Sequence, residues 1–317
     1  MLSALTFATA LVVGLFVTPL VRNLAFRLDL LDQPGGRKVH QTPIPRLGGI
    51  AMVVAFGVAI GLATLVSPDL GAVGGIRPNR APAILAGVAV ILLIGLVDDL
   101  RGMRASMKLL LQVVAAVFAW GVGLSLNRLH MPWGIVDLGI LSLPITVAWI
   151  VGVINAVNLI DGLDGLASAV VLTTLGAFGL LAASDGVDPT LPIIAATGGA
   201  AAGFLAYNLP PATIIMGDTG SMFLGFVVAA VGISLTQDGI IPQPPWVPAL
   251  ALAVPIADTV WAVVRRTARG DPLFAPDRGH IHHQLLRRNL SQRDAVLLLT
   301  AISGAAAVVA VLAGHVE

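Results

Sequence analysis

Apolar residues run through this chain in blocks, and polar residues collect in the gaps between them. Runs of about 16 to 22 residues recur along the whole length, the length a helix needs to cross a hydrocarbon core of ~30 Å. Breaking the sequence at Pro, Gly and charge clusters predicts ten transmembrane spans, near residues 2–21, 48–66, 82–97, 108–126, 142–157, 166–183, 190–207, 221–236, 246–264 and 295–314. The first run has no basic residue before it and Arg22 and Arg27 after it, the reverse of a secretory signal, so it reads as a retained helix. Two gaps carry local patterns. Residues 128–144, "RLHMPWGIVDLGILSLP", alternate apolar and polar positions around two glycines and predict a short β-hairpin on the outer, periplasmic face. "SQRD", residues 291–294, has the spacing of a capping box at the start of the last helix. No internal repeat of the kind built into inverted-repeat transporters is visible. The expectation is an all-α integral membrane protein, one polytopic domain over residues 1–317.

Charge orients this bundle. Odd-numbered connections hold fifteen Lys and Arg, and even-numbered ones hold only Arg77, Arg80 and Arg128. That split assigns the odd connections to the cytoplasm and both termini to the other side. Composition agrees with the membrane reading: 57% of residues are hydrophobic, 11% charged, and mean hydropathy is +0.93, far from the ordinary soluble range. Net charge is only +1, so no nucleic-acid partner is expected. Cysteine is absent, which excludes disulfides, thiolate metal sites and cysteine nucleophiles.

The chemistry lies in the odd connections. "GLVDDLRGMRASMKLLLQ" sets Asp98 beside Asp99 at the end of the third span, with Lys108 opening the fourth. Adjacent carboxylates repel unless a cation or a shared proton intervenes, so the pair suggests metal or proton chemistry rather than a solvated helix end. In "NAVNLIDGLDGLA", Asn155, Asn158, Asp161 and Asp164 follow an i, i+3 ridge that could face one cavity, and Gly162 and Gly165 loosen the helix there. An ordinary polar turn explains one or two of these positions, not all six. "MGDTGSMFLG" places Asp218 between glycines just before an apolar helix. A helix cap accounts for the acid, and an anion or hard-cation site accounts for the glycines as well. "PDRGHIHHQLL" gathers His280, His282 and His283, three of only six histidines. Phosphate contacts or proton transfer suit them better than zinc, and a surface amphipathic helix with Ile281, Leu285 and Leu286 in the interface is the competing reading. Lys38, His40 and Arg46 in "GGRKVHQTPIPRLGGIA" read, by themselves, as positive-inside charge. Sixteen of the seventeen acids are Asp. Short hard carboxylates, asparagines, glycine turns and scattered cations on one face converge on a Mg²⁺–diphosphate site, with Mn²⁺ a substitute ion.

With these residues assembled, the chain resembles the polyprenyl-phosphate N-acetylhexosamine-1-phosphate transferases, glycosyltransferase family 4. Within them it looks most like the bacterial enzymes that move GlcNAc-1-phosphate from UDP-GlcNAc to a lipid phosphate. The likeness runs in order through "TPIPRLGGIA", "GLVDDLRGM", "NAVNLIDGLDGLA", "MGDTGSMFLG" and "HIHHQLL". It implies that Asp218 is the main Mg²⁺ ligand and Asn158 a second, and that Asp98 and Asp99 deprotonate or position the lipid phosphate. It further implies that Lys108 neutralises phosphate, that Asp164 lies in the uridine pocket near Asn155 and Asp161, and that His280, His282 and His283 contact the sugar phosphate. The related transferase that loads MurNAc-pentapeptide typically has three consecutive histidines and a "GTPTMGG" stretch. Here "HIHH" and "QTPIPRLGG" stand instead and favour the GlcNAc branch. The implied partners are a UDP-HexNAc, a polyprenyl phosphate and the bilayer of a bacterial inner membrane, with a homodimer one option for assembly. A secondary transporter is the rival from another class, but it would want its polar groups at the bilayer midplane, where only Asp258 falls.

Overall fold

The computed structural model describes residues 1–33, 42–67, 80–184, 190–237, 242–270 and 279–315. Lys38 and His40, and Arg37, Arg77 and Arg278 of the charge count, lie outside the described residues. Among the described residues twelve helices follow one another: α1 Leu2–Arg27, α2 Gly48–Val66, α3 Ala81–Arg101, α4 Ala105–Gly121, α5 Ser142–Ile160, α6 Leu166–Ser184, α7 Leu191–Asn208, α8 Gly217–Gln237, α9 Trp246–Ala251, α10 Ala253–Arg269, α11 Ile281–Arg287 and α12 Gln292–His315. Eight of them are long and apolar enough to span a membrane, and α4, with 17 residues, is a shorter apolar helix. The all-α polytopic architecture is therefore as the apolar blocks predict.

Two small antiparallel ribbons complete the description. β1 (Leu31–Asp32) pairs with β2 (Ile44–Pro45), and β3 (Arg128–Met131) pairs with β4 (Gly134–Asp137), with Arg128 opposite Asp137. The second is the predicted hairpin, shorter than the pattern suggested because residues 139–141 form a 3-10 turn that runs into α5. Gln237 at the end of α8 anchors it, donating to Arg128 O at 2.6 Å and accepting from Asn127 N at 3.0 Å. The capping box also forms: Ser291 Oγ donates to Asp294 Oδ2 at 2.6 Å, and Asp294 N donates back to Ser291 Oγ at 3.2 Å.

The ninth span needs correction. Residues 246–264 are not one helix but α9 and α10, divided at Leu252. Pro255 explains the division, since it has no N–H to donate to Ala251 O and its ring crowds that carbonyl. Thr174 Oγ1 of α6 donates to Ala251 O instead, at 2.9 Å, which keeps a buried carbonyl paired. Beyond the break α10 is strongly amphipathic, carrying Asp258 on its buried side and Arg265, Arg266 and Arg269 near its end.

At the centre stands α8, buried without interruption from Thr219 to Thr236. It packs against α2, α3, α5 and α6, and small residues let the backbones close in. A Cβ at Gly49 of α2 would lie 2.2 Å from Gly220 N, and one at Gly95 of α3 would lie 2.6 Å from Thr219 Cα. Close backbone approach is how helices associate where no hydrophobic drive separates protein from lipid. The N-terminus of α8 is thereby clamped at one end of the bundle, beside the C-terminal ends of α3 and α5.

Candidate active site

The N-terminus of α8 is held by a carboxylate from another helix. Gly217 takes φ +69, a left-handed value open to glycine, and turns the chain so that the first amides of α8 face α3. Asp99 receives them: Asp218 N donates to its Oδ1 at 2.8 Å, Thr219 N to its Oδ2 at 2.9 Å, and Thr219 Oγ1 to Oδ2 at 2.6 Å. Arg46 Nη2 adds an ion pair at 3.5 Å. This is N-capping performed in trans, with the negative charge set where helix dipole and unpaired N–H groups favour it.

Asp218 follows directly. Lys108 Nζ of α4 bonds to its Oδ1, and Asn158 Nδ2 of α5 donates to the same oxygen at 2.6 Å. Lys108 also reaches Asp98 Oδ2 at 3.0 Å, while Met103 N donates to Asp98 Oδ1 at 2.7 Å. One lysine thus bridges Asp98 and Asp218. Asn158 donates a second bond to Ser221 Oγ at 2.8 Å, so its NH₂ is directed into α8 and its carbonyl oxygen is left for a ligand.

These groups border a cavity of about 350 Å³ whose lining includes Asp32, Arg46, Asp99, Asn158, Asp161, Asp164, Asp218 and His283. The charge is heavily negative. Burial first, and then the charges of Asp218, Asp99 and Asp164, push the Asp161 carboxyl well above the ordinary range. Among the described residues no three His, Asp or Glu side chains close on one point as a preformed metal cage. Asp164 does a second job, accepting Ala212 N at 2.9 Å, and Asn208 accepts Gly165 N at 3.0 Å while donating to Ile214 O at 2.9 Å. The loops on either side of α6 and α7 are tied together at the rim.

The predicted ridge does not continue as one helix. α5 ends at Ile160, so Asp161 and Asp164 reach the cavity from the following turn, and Gly165 at φ +77 closes that turn. Asn155 sits one turn deeper and is not in the lining: its Nδ2 donates to Gln112 Oε1 at 2.7 Å and to Val151 O at 2.8 Å. Gln112 of α4 is fully buried and its Nε2 has no hydrogen-bond partner. Asp98 and Lys108 adjoin the cavity through Asp218 without lining it.

The three histidines divide. His283 lines the cavity. His282 is buried, its ring 4.3 Å from that of His283, and a Cβ on Gly162 would lie 2.2 Å from its Nε2. Only glycine at 162 lets this imidazole lie against the turn that carries Asp161 and Asp164. Burial and then the neighbouring His283 lower the His282 pKa to about 4, against an upward pull from Asp258. His280 stacks on His282 at 5.8 Å and pairs with Asp258 through Nδ1 at 2.8 Å.

Two participants escape sequence reading, and so does the role of a third. Arg46 reads there as topological charge, yet it lines the cavity; Leu47 beside it takes φ 96, so that Gly48 N and Gly49 N meet Ile215 O and Met216 O at 3.0 and 2.8 Å. Gln112 closes the quoted "MKLLLQ" stretch, and its place one helical turn beyond Lys108 was the available signal. Asp258 was visible as an acid in mid-span, but its partner comes from 22 residues further on.

The description of Glycosyl transferase family 4 matches residues 81–236. The chain is 36% identical over 304 residues to the probable undecaprenyl-phosphate N-acetylglucosaminyl 1-phosphate transferase of Bacillus subtilis (strain 168), covering 92% of this chain and 80% of the relative. It is 37% identical over 321 residues to the decaprenyl-phosphate N-acetylglucosaminephosphotransferase of Mycobacterium tuberculosis (strain ATCC 25618 / H37Rv), covering 93% and 78%. Its identity to the undecaprenyl-phosphate alpha-N-acetylglucosaminyl 1-phosphate transferase of Escherichia coli (strain K12) is 30% over 326 residues, covering 99% and 86%.

Proposed function

The chain belongs to glycosyl transferase family 4, and from that premise we propose that it transfers GlcNAc-1-phosphate from UDP-GlcNAc to a polyprenyl phosphate. An oxygen of the lipid phosphate attacks the phosphorus that bears the sugar; the bond from that phosphorus to the UMP oxygen breaks, and a polyprenyl-diphosphate sugar forms. The observation that carries this reading is the acid-rich cavity at the N-terminus of α8, bordered by Asp218, Asn158 and Asp161 and reached by Lys108 and Arg46. A charged nucleotide sugar can enter from water and a lipid phosphate from the bilayer only where helix ends meet the interface, and all of these groups stand at helix ends. A midplane transporter site would need them in mid-span.

The donor set fits Mg²⁺. That ion is usually held by one or two carboxylates plus substrate phosphates and water rather than by an all-protein cage, and the excess negative charge around Asp161 is what a cation would relieve. Asp218 and the Asn158 carbonyl oxygen would hold it. When bound, it screens the diphosphate and stabilises charge on the departing UMP. The remaining work falls to side chains of the chain. Lys108, already bonded to Asp98 and Asp218, supplies a positive charge beside the phosphoryl group, and Arg46 supplies another. Asp99 keeps Asp218 aimed by holding the amides of α8. His283 stands at the cavity for the sugar phosphate, and Asp164 with the turn it ties down forms the rim for the uridine.

Purified protein given Mg²⁺, a short polyprenyl phosphate and a panel of UDP-sugars should release UMP and make lipid product with UDP-GlcNAc. Product with UDP-MurNAc-pentapeptide alone would shift the assignment to the peptidoglycan branch, and no UMP from any donor would end the transferase reading. The cavity face is taken as cytoplasmic on the charge split. Cysteines placed singly at Ser106 and Ser184 should then react with impermeant reagents from opposite sides of the membrane.

A further inference from the structure

Among the described residues, the acid of mid-α10 is the one buried carboxylate that the transfer reaction, as described, does not use. Asp258 is 6% exposed, and burying a carboxylate costs free energy that a Leu or Ala at the same place would not cost. Both of its oxygens are engaged by one short stretch of chain. His280 Nδ1 lies 2.8 Å from Oδ2, and Ile281 N donates to Oδ1 at 2.8 Å. An ionised carboxylate only accepts, so His280 presents a protonated Nδ1 to it. Immediately before, Gly279 packs so closely on α10 that a Cβ would lie 2.3 Å from Arg265 Cζ.

From there contact passes in one direction. The His280 ring lies parallel to His282 at 5.8 Å and 6°, His282 meets His283 at 4.3 Å, and His283 lines the cavity. α11 has only seven residues; His282 is its one buried side chain, and Ile281, Leu285 and Leu286 are partly buried against the core. Its first turn is tied to α10 at Asp258.

We propose that Asp258 is a positioning residue of the reaction: by taking His280 Nδ1–H and the first amide of α11, it fixes His283 at the acidic cavity. The inference rests on the transferase reading given above. A carboxylate is required because two donors must be accepted at once. Asparagine has one acceptor, so Asp258→Asn can keep the Ile281 amide only by turning its NH₂ toward His280, which then has to present a bare Nδ1 and carry its proton on Nε2.

A double-mutant cycle with a thiol reporter tests this. Asp258→Asn and Asp258→Ala should lower kcat/KM for UDP-GlcNAc on the order of ten-fold or more, with Asp258→Glu recovering part of the loss. In a His283→Ala background the same changes should cost less than about two-fold, because the residue through which Asp258 acts is gone. Equal fractional losses in both backgrounds would overturn the proposal. The chain has no cysteine, so His283→Cys creates a single thiol, and adding Asp258→Asn should change its labelling by a water-soluble maleimide several-fold. An unchanged labelling rate also overturns the proposal, and it does so without any assay of turnover. Should the parent protein release no UMP from any donor, the transferase reading fails by itself, while the labelling still reports whether Asp258 holds position 283.

Discussion

Asp99 on α3 and Asp258 on α10 perform the same operation for two different helices that reach the cavity. Each is a buried carboxylate on one helix that accepts the first amide of another, and each second helix carries a group to the site: Asp218 on α8, His283 on α11. They differ in what surrounds them. Asp99 grips a helix that is itself buried along nearly its whole length and backed by glycine contacts on two sides, whereas Asp258 grips a seven-residue helix and must share its second oxygen with an imidazole. The first anchor reinforces a position that packing already defines. The second adds to lighter packing, because Ile281, Leu285 and Leu286 are only partly buried. Losing Asp99 should therefore be felt through the geometry of Asp218 and through stability, and losing Asp258 chiefly through the placement of one side chain.

The sharpest break in this comparison comes at what the first anchor holds. Asp218→Asn should lower turnover by about three orders of magnitude or more, since the amide loses the charge proposed to meet the ion, and residual activity should need more Mg²⁺. An ordinary rate and Mg²⁺ dependence would remove Asp218 from the site. Next in size is the anchor itself: Asp99→Asn leaves one acceptor for the two amides and one hydroxyl, and should cost on the order of 10²-fold in kcat together with about 1–3 kcal/mol of stability. Asp98→Asn, by contrast, leaves α8 capped. The second ionisation of a phosphate monoester lies near pH ~6, so orientation rather than proton removal predicts the same fractional loss from about pH 6 to 9, and a loss that shrinks toward high pH would instead mark Asp98 as a base.

Two smaller effects probe the histidine side. Gly162→Ala puts a methyl 2.2 Å from His282 Nε2, which forces the histidine stack away from the turn. Turnover should fall by about ten-fold, with Asp218-dependent Mg²⁺ behaviour unchanged. His282 gives the mildest signal. Its folded pKa of about 4 lies below the ordinary 6.5, so as pH falls the unfolded chain takes the proton first and stability drops. The contribution is whole above pH 6.5 and shrinks as pH falls toward 4; a thermal-melt series over that window should flatten in His282→Gln.

Much of this was legible before any coordinates. Nine of the ten apolar blocks are single apolar helices, eight of them long enough to span a membrane and α4 shorter, because crossing a membrane demands length and apolarity, both local properties of sequence. The ninth failed for a local reason read too lightly: Pro255, four residues after Ala251, forces a break that Thr174 repairs from another helix. The motifs around Asp98, Asp99, Asn158, Asp161, Asp164, Asp218 and His283 do meet at one end of the bundle. Their division of labour was not legible. Nothing in "DD" says that the second acid caps α8 while the first shares a lysine with Asp218, because that depends on which way α3 is turned. Asn155 shows the same limit: the i, i+3 spacing is right, but it sits one turn deeper in α5 than Asn158 and meets Gln112 instead of the cavity.

The burial of α8 also bears on how such a chain is made. Synthesis runs from the N-terminus, so α2, α3, α5 and α6, the neighbours that enclose α8, are all in the bilayer before α8 emerges from the ribosome. The slot precedes its occupant. Until α8 arrives, Asp99 at the mouth of that slot has Arg46 beside it but no amide to accept, and its bonds to Asp218 N, Thr219 N and Thr219 Oγ1 can form only when the incoming helix has reached its final depth. The bonds of a single carboxylate thus mark one depth at which the central helix is fully held.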